Sequence, residues 1–142
     1  MQVMIGIVLF LATAIVHAIA LGVTTDIVRK QIDRVANPRS LVRPIGILLT
    51  TMILIMAAHG AEVLLWAVTF VTAGVFDTLE PAFYFSLVAY TTLGFGDIIV
   101  PTDWRLLSGF AAANGFLMFG WSTAFQVELL RELGRKVRAA RL

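Results

Sequence analysis

The sequence contains no cysteine, which excludes disulfides, thiol chemistry and thiolate metal sites. It is also short of charge: 14% of its 142 residues are charged and 59% are hydrophobic, where soluble domains carry about a quarter and about half. With a mean hydropathy of +0.90 it belongs in a bilayer. No arginine recurs at every third position of an apolar run, so a voltage-sensor helix is missing. Crossing about 30 Å of hydrocarbon takes about 20 apolar helical residues, so the length leaves room for three spans with short connections and none for a sizeable soluble domain. Sensing is expected within the membrane, at its surfaces or in a partner.

What is present falls into three long apolar runs. Gln2 to Gly22 is the first, with no basic residue ahead of it as a secretory signal would have. Cleavage after Ala18 or Ala20 would leave Arg29, Lys30, Arg34, Arg39 and Arg43 outside, against the positive-inside tendency, so residues 1–23 read as an N-terminal transmembrane helix. Thr24, Thr25 and Asp26 offer N-cap oxygens, after which Ile27, Val28, Ile32 and Val35 share one helical face. Residues 24–44 therefore read as a cytoplasmic amphipathic linker ended by Asn37-Pro38, or alternatively as a solvated loop. The second run, residues 45–72, follows Pro44 and is long enough to span with some tilt.

Residues 73–80 hold acidic but no basic side chains, and Asp77 or Thr78 can cap a helix that has Pro81 in its first turn. That helix, residues 81–90, is too short to cross a membrane. A short apolar helix followed at once by glycines suits a re-entrant loop, where non-helical backbone at membrane depth is received by protein or a water-filled path. The third run, residues 105–127, spans back into a basic tail, residues 128–142, with Arg131, Arg135, Lys136, Arg138 and Arg141. Both basic clusters then lie on the cytoplasmic side, with the N-terminus outside and the C-terminus inside. The tail would meet anionic lipid or serve only as a topology signal. The chain reads as an all-α membrane protein with three transmembrane helices, and a re-entrant pore helix and filter between the second and third.

The order helix, loop, Thr91-Thr92-Leu93-Gly94-Phe95-Gly96-Asp97, helix resembles the pore domain of the tetrameric potassium channels, over residues 45–127. Their filter commonly reads Thr-Val-Gly-Tyr-Gly. Ala82-Phe83-Tyr84-Phe85-Ser86 through Gly120-Trp121-Ser122-Thr123-Ala124-Phe125 is similar to small bacterial potassium or ion channel proteins with one pore loop per chain. The resemblance implies a selectivity filter at Thr92, Leu93, Gly94, Phe95 and Gly96 that binds potassium, supported by Thr91, Asp97 and Tyr84. Phe95 stands where the family more often has tyrosine. Tyr84 occupies the place of an aromatic donor that holds the acid after the filter; alternatively it anchors in the membrane interface. The acid some relatives carry a turn before the filter is replaced by Val88. Gly115 matches a hinge glycine.

The residue types make physical sense for that role. A dehydrated cation needs rings of carbonyl oxygens in place of water, and successive carbonyls all face inward only if the backbone alternates into regions that glycine visits cheaply. One such segment per chain, where a ring needs four, implies a homotetramer. The preceding helix aims the negative end of its dipole at the cavity, favouring a cation. The expected function is passive potassium conduction by a bacterial inner-membrane channel, with no enzymatic activity, no cofactor beyond potassium in the filter, and no nucleic-acid partner. A poorly selective monovalent cation channel and a non-conducting accessory or sensor subunit are the alternatives.

His59 and Glu62 lie one turn apart in an otherwise apolar run. A carboxylate at mid-bilayer costs about 2.5–3.5 kcal/mol, so it must face protein or take a proton. At about 1.5 Å per residue, Glu62 and Asn114 sit at a common depth, which predicts a polar cluster of His59, Glu62 and Asn114: either static interhelical bonding or a site where protonation biases conduction. Two ligands per chain make a poor metal site. Phe116, Phe119 and Thr123 share a helical face expected to line the cavity, unless the phenylalanines pack between subunits and Ala112 and Thr123 line it. His17 reads as a packed or interfacial residue.

Overall fold

The computed structural model describes residues 1–33 and 42–139. In chain order these form α1 (Gln2–Asp33), α2 (Val42–Thr72), the short α3 (Leu79–Tyr90), one turn of 3-10 helix (Thr102–Trp104) and α4 (Arg105–Ala139). By length and composition α1 and α2 are each able to cross a membrane. α4 is long enough, but Ser108, Asn114, Ser122 and Thr123 interrupt its apolar run.

α1 and α4 start at the same end of the molecule. The Gln2 side-chain oxygen accepts from the backbone N–H groups of Leu106 (3.1 Å) and Leu107 (3.3 Å), which as first-turn amides of α4 have no partner within their own helix. α2 runs the other way, and α1 packs against both long helices. Sequence spacing sets which face of α1 does so. Val3, Ile7, Leu11, Ile15, Ile19 and Val23, every fourth residue, are exposed, whereas Thr13, His17, Leu21, Thr24, Val28 and Ile32, three, four or seven apart, are buried.

The expected linker from residue 24 is corrected: α1 continues unbroken through Asp33. Thr24 and Thr25 do not cap a new helix, because their hydroxyls bond back to the carbonyls of Ala20 (2.7 Å) and Leu21 (2.8 Å) in the same helix. The apolar stripe begun by Val28 and Ile32 packs on Ile47 of α2 and on Leu129 and Leu133 of α4 rather than on a membrane surface. Arg34, Val35, Asn37-Pro38, Arg39 and Arg141 lie outside the described residues. α4 likewise runs on through the basic segment expected as a tail after residue 127.

The larger core lies toward the other end, where Trp66 and Phe70 of α2 meet Ala82, Phe85 and Tyr90 of α3 and Leu107, Ala111 and Met118 of α4. Phe70 stands edge-on to Phe76 and Phe85, with ring centroids 6.1 and 5.3 Å apart. α3 starts two residues earlier than the proline suggested. Thr78 takes the N-cap position without a side-chain capping bond, and Glu80 places its charge at the positive end of the helix dipole. Charge is unevenly distributed along the molecule: Asp77, Glu80, Asp97 and Asp103, with Arg105 the one basic side chain beside them among the described residues, lie around α3 and its flanking loops, while Arg29, Lys30, Arg43, Arg131, Arg135, Lys136 and Arg138 outnumber Asp26, Glu128 and Glu132 toward the far ends of the long helices.

Candidate ion-conducting segment and a buried polar ring

α3 ends at Tyr90, and the chain leaves it through a tight hydrogen-bonded turn. Thr91 N–H donates to the Leu87 carbonyl and Leu93 N–H to the Val88 carbonyl, both at 3.0 Å, while the Thr91 hydroxyl bonds back to Leu87 O at 2.8 Å. Val88 thus serves here through its backbone carbonyl. From here the sign of φ alternates. Thr92 (+60°), Gly94 (+61°) and Gly96 (+76°) are left-handed, with Leu93 and Phe95 on the ordinary side between them. Glycine adopts such angles freely, but Thr92 is the one non-glycine among the described residues to do so. Residues 92–97 are all exposed in the single chain.

The segment is fastened at both ends. The Tyr84 hydroxyl donates to the Asp97 carboxylate at 2.6 Å, and this bond holds the Asp97 carboxyl below its ordinary range. At the inner end, α4 passes the last turn of α3 so closely at Gly115 that a Cβ there would lie 1.9 Å from the Tyr90 carbonyl oxygen. Beside any hinge role, Gly115 is required for this approach. Phe116 and Thr123 lie on the exposed face of α4, but Phe119 turns inward, its ring centroid 4.5 Å from that of His59 and 5.5 Å from that of Tyr90. At about 100° per residue Phe119 sits at the edge of the stripe defined by Phe116 and Thr123, and α2 and α3 fill that side.

The polar residues of the long helices separate into two groups. Asn114 is buried beside Thr13 and Trp66, where Trp66 Nε1 donates to Asn114 Oδ1 at 2.9 Å and the Thr13 hydroxyl lies 3.0 Å from the same oxygen. Its amide nitrogen has no partner among the described residues. His59 and Glu62 instead join a ring with His17, Tyr90 and Ser122. Glu62 Oε1 is 2.8 Å from His17 Nδ1, and His17 Nε2 is 3.0 Å from Ser122 Oγ. Ser122 Oγ is 3.1 Å from His59 Nε2, His59 Nδ1 is 3.0 Å from Tyr90 Oη, and the Tyr90 hydroxyl donates to Glu62 Oε2. All five residues are buried, Glu62, His17 and Tyr90 completely. α1, α2, α3 and α4 each contribute.

His17, read from sequence as a packed or interfacial residue, is therefore Glu62's partner, and neither Tyr90 nor Ser122 was expected in the polar cluster. The available signal was spacing: Thr13, His17 and Thr24 fall on one face of an apolar helix, and polar groups at that depth face protein.

A sequence profile described as an ion channel matches residues 48–132, and the chain belongs to that ion-channel family. The matched span runs from α2 through α3 and the Thr91–Asp97 segment into α4, leaving α1 outside it. No curated protein and no solved structure matches the chain. Membership makes it a membrane-embedded ion-channel subunit, which points to transport rather than to an enzymatic role.

Proposed function

We propose that four copies of this chain surround one pore and conduct potassium passively through rings formed by Thr92, Leu93, Gly94, Phe95 and Gly96. The observation that carries this is the alternation of φ over residues 92–96. Regular reversal of backbone handedness turns successive peptide carbonyls to the same side, and stacked rings of such carbonyls can replace the water shell of a dehydrated cation. Exposure of the segment supports the assembly: bare backbone at membrane depth must be received by protein or a water-filled path, and within one chain nothing covers residues 92–97. The α3 face carrying Leu79, Phe83 and Leu87 is similarly apolar and exposed, as a face packed on a neighbouring copy would be.

In this reading α1, α2 and α4 all span, the acidic end lies outside and the basic end meets the cytoplasm and its anionic lipid. The C-terminus of α3 aims its dipole into the cavity, and the exposed Phe116 and Thr123 line the path beneath. Asp97 and Tyr84 brace the outer mouth.

Purified protein in liposomes, loaded with potassium or sodium gradients, tests this directly. Potassium flux with little sodium flux from a verified tetramer is expected. Comparable flux of both ions means a poorly selective channel, and no flux from an intact tetramer means an accessory subunit.

A further inference from the structure

Five side chains close the buried ring, and its hydrogen atoms can be counted. Each of the five links needs one proton between its two heavy atoms. Ser122 and Tyr90 bring one each, each neutral imidazole brings one, and an ionised Glu62 brings none, so four protons serve five links. His17 Nδ1–H and the Tyr90 hydroxyl donate to the two Glu62 oxygens. If His59 carries its proton on Nε2, Ser122 donates to His17 Nε2 and His59 Nε2–H donates to Ser122, so His59 Nδ1 and Tyr90 Oη stand 3.0 Å apart with only lone pairs between them. If His59 carries it on Nδ1, that nitrogen donates to Tyr90 and the gap falls at one of the two Ser122 links instead.

One more proton closes the ring. It can sit on His59 Nδ1, making an imidazolium that donates to Tyr90, or on Glu62 Oε2, with the Tyr90 hydroxyl reversed to donate to His59. Either arrangement leaves the ring electrically neutral, whereas the four-proton ring buries a net negative charge at a depth where one costs about 2.5–3.5 kcal/mol. The groups facing Glu62 are His17 from α1, His59 from α2 and Tyr90 from α3. α4 contributes Ser122 and the Trp121 ring, 5.5 Å from His17, neither of which titrates.

We propose that this ring is a proton-binding site that holds one proton in the conducting channel and, through Tyr90, couples that proton to the filter. Tyr90 is the last residue of α3, and the left-handed Thr92 follows two positions later. With His59 protonated on Nε2, the link that opens on proton loss is His59–Tyr90, one of the two that hold the Tyr90 hydroxyl, whereas the Nδ1–H tautomer would open a Ser122 link instead. Release that leaves the Nε2–H tautomer at alkaline pH slackens the anchor on which the turn into Thr92 is built, and conduction falls. α1 is a necessary part of the device, since without His17 the circuit is open. A divalent metal is the competing occupant, because His17, His59 and Glu62 offer ligand atoms all within 4.8 Å of one another. It would have to displace the existing links and leave excess positive charge against a single carboxylate, so the proton is favoured.

The proposal rests on the channel reading, and Glu62→Gln separates the two. A glutamine donates from one side and accepts on the other, as protonated Glu62 does, so it completes all five links with nothing to release. In tetramers verified after reconstitution, potassium flux of the unaltered protein is expected to fall about fivefold or more between about pH 6 and about pH 9, the low end of ordinary coupling between sites. In Glu62→Gln the ratio of flux at the two pH values should approach one. Equal pH responses in the two proteins, or one zinc or other transition metal per chain on elemental analysis, would overturn the proposal. A tetramer silent at every pH defeats the channel reading instead. In that case, and equally if Glu62→Gln fails to assemble, nitrogen-15 and carbon-13 NMR of the unaltered protein decides. A one-proton step shared by His17, His59 and Glu62 supports the site, and no change in any of the three refutes it.

Discussion

Gly115 of α4 lies against the Tyr90 carbonyl so tightly that an alanine methyl would stand 1.9 Å from the oxygen. The obstacle is backbone at the end of α3, which cannot rotate aside as a side chain could. Gly115→Ala is therefore expected to displace the base of the proposed filter and to destabilise the fold by at least about 1–3 kcal/mol, the usual range for overpacking. Gly22→Ala is the control, since nothing lies within 4 Å of a Cβ built there. It should be neutral or stabilise by up to about 1 kcal/mol, as helical Gly-to-Ala changes do. Thermal unfolding of the two variants in detergent measures the contrast.

Gly94 and Gly96 are left-handed, at +61° and +76°. An L-residue in that region costs roughly 1–2 kcal/mol, so Gly94→Ala and Gly96→Ala should each distort one of the proposed carbonyl rings while leaving the helices in place. The expected result is loss of potassium-over-sodium discrimination, or of flux, from tetramers of normal size. Unchanged flux ratios would contradict the proposed filter.

Tyr84 and Asp97 are joined by one short bond on an exposed surface. Tyr84→Phe and Asp97→Asn remove or weaken the same tether, so the two should share a phenotype: flux that declines faster during a sustained gradient, by about two- to tenfold, the factor one net hydrogen bond supplies. The double variant should add little to either. Full additivity would mean that the two residues act separately.

Trp66 supplies a donor that Asn114 Oδ1 receives from no other indole, whereas the Thr13 hydroxyl lies equally near carbonyls of its own helix, at 2.9 Å from Leu9 and 3.0 Å from Phe10. Trp66→Phe should cost about 0.6–1.7 kcal/mol, the range for interhelical bonds in membranes, and Thr13→Val distinctly less. Unfolding of the reconstituted protein in denaturing detergent tests the order.

Much of this architecture is legible along the chain, because its determinants are local. Apolar runs long enough to span, the acidic loop before Pro81, and the short helix before Gly94 and Gly96 all follow from composition and spacing over a few turns, whereas the pairing of Tyr84 with Asp97 came only from the resemblance to channel pore domains. The extent of α1 was not legible. Thr24, Thr25 and Asp26 look like a helix start, but a threonine hydroxyl can equally bond back four residues, and the choice is made by Ile47, Leu129 and Leu133 receiving Val28 and Ile32. The partition of the polar residues was hidden for a similar reason. Common depth puts Glu62 near Asn114, but depth leaves rotation about the helix axes free.

The segment from Thr91 to Asp97 is thus what the sequence determined alone, since glycines at alternate positions after a short helix have a local conformational meaning whatever surrounds them. Tertiary structure decided which polar groups share a site. Only the packing of α1 between α2 and α4 brings His17 to Glu62, and only the close pass at Gly115 sets the end of α3 against α4. Both are contacts between residues distant in sequence, and no local periodicity encodes the rotation of one helix against another.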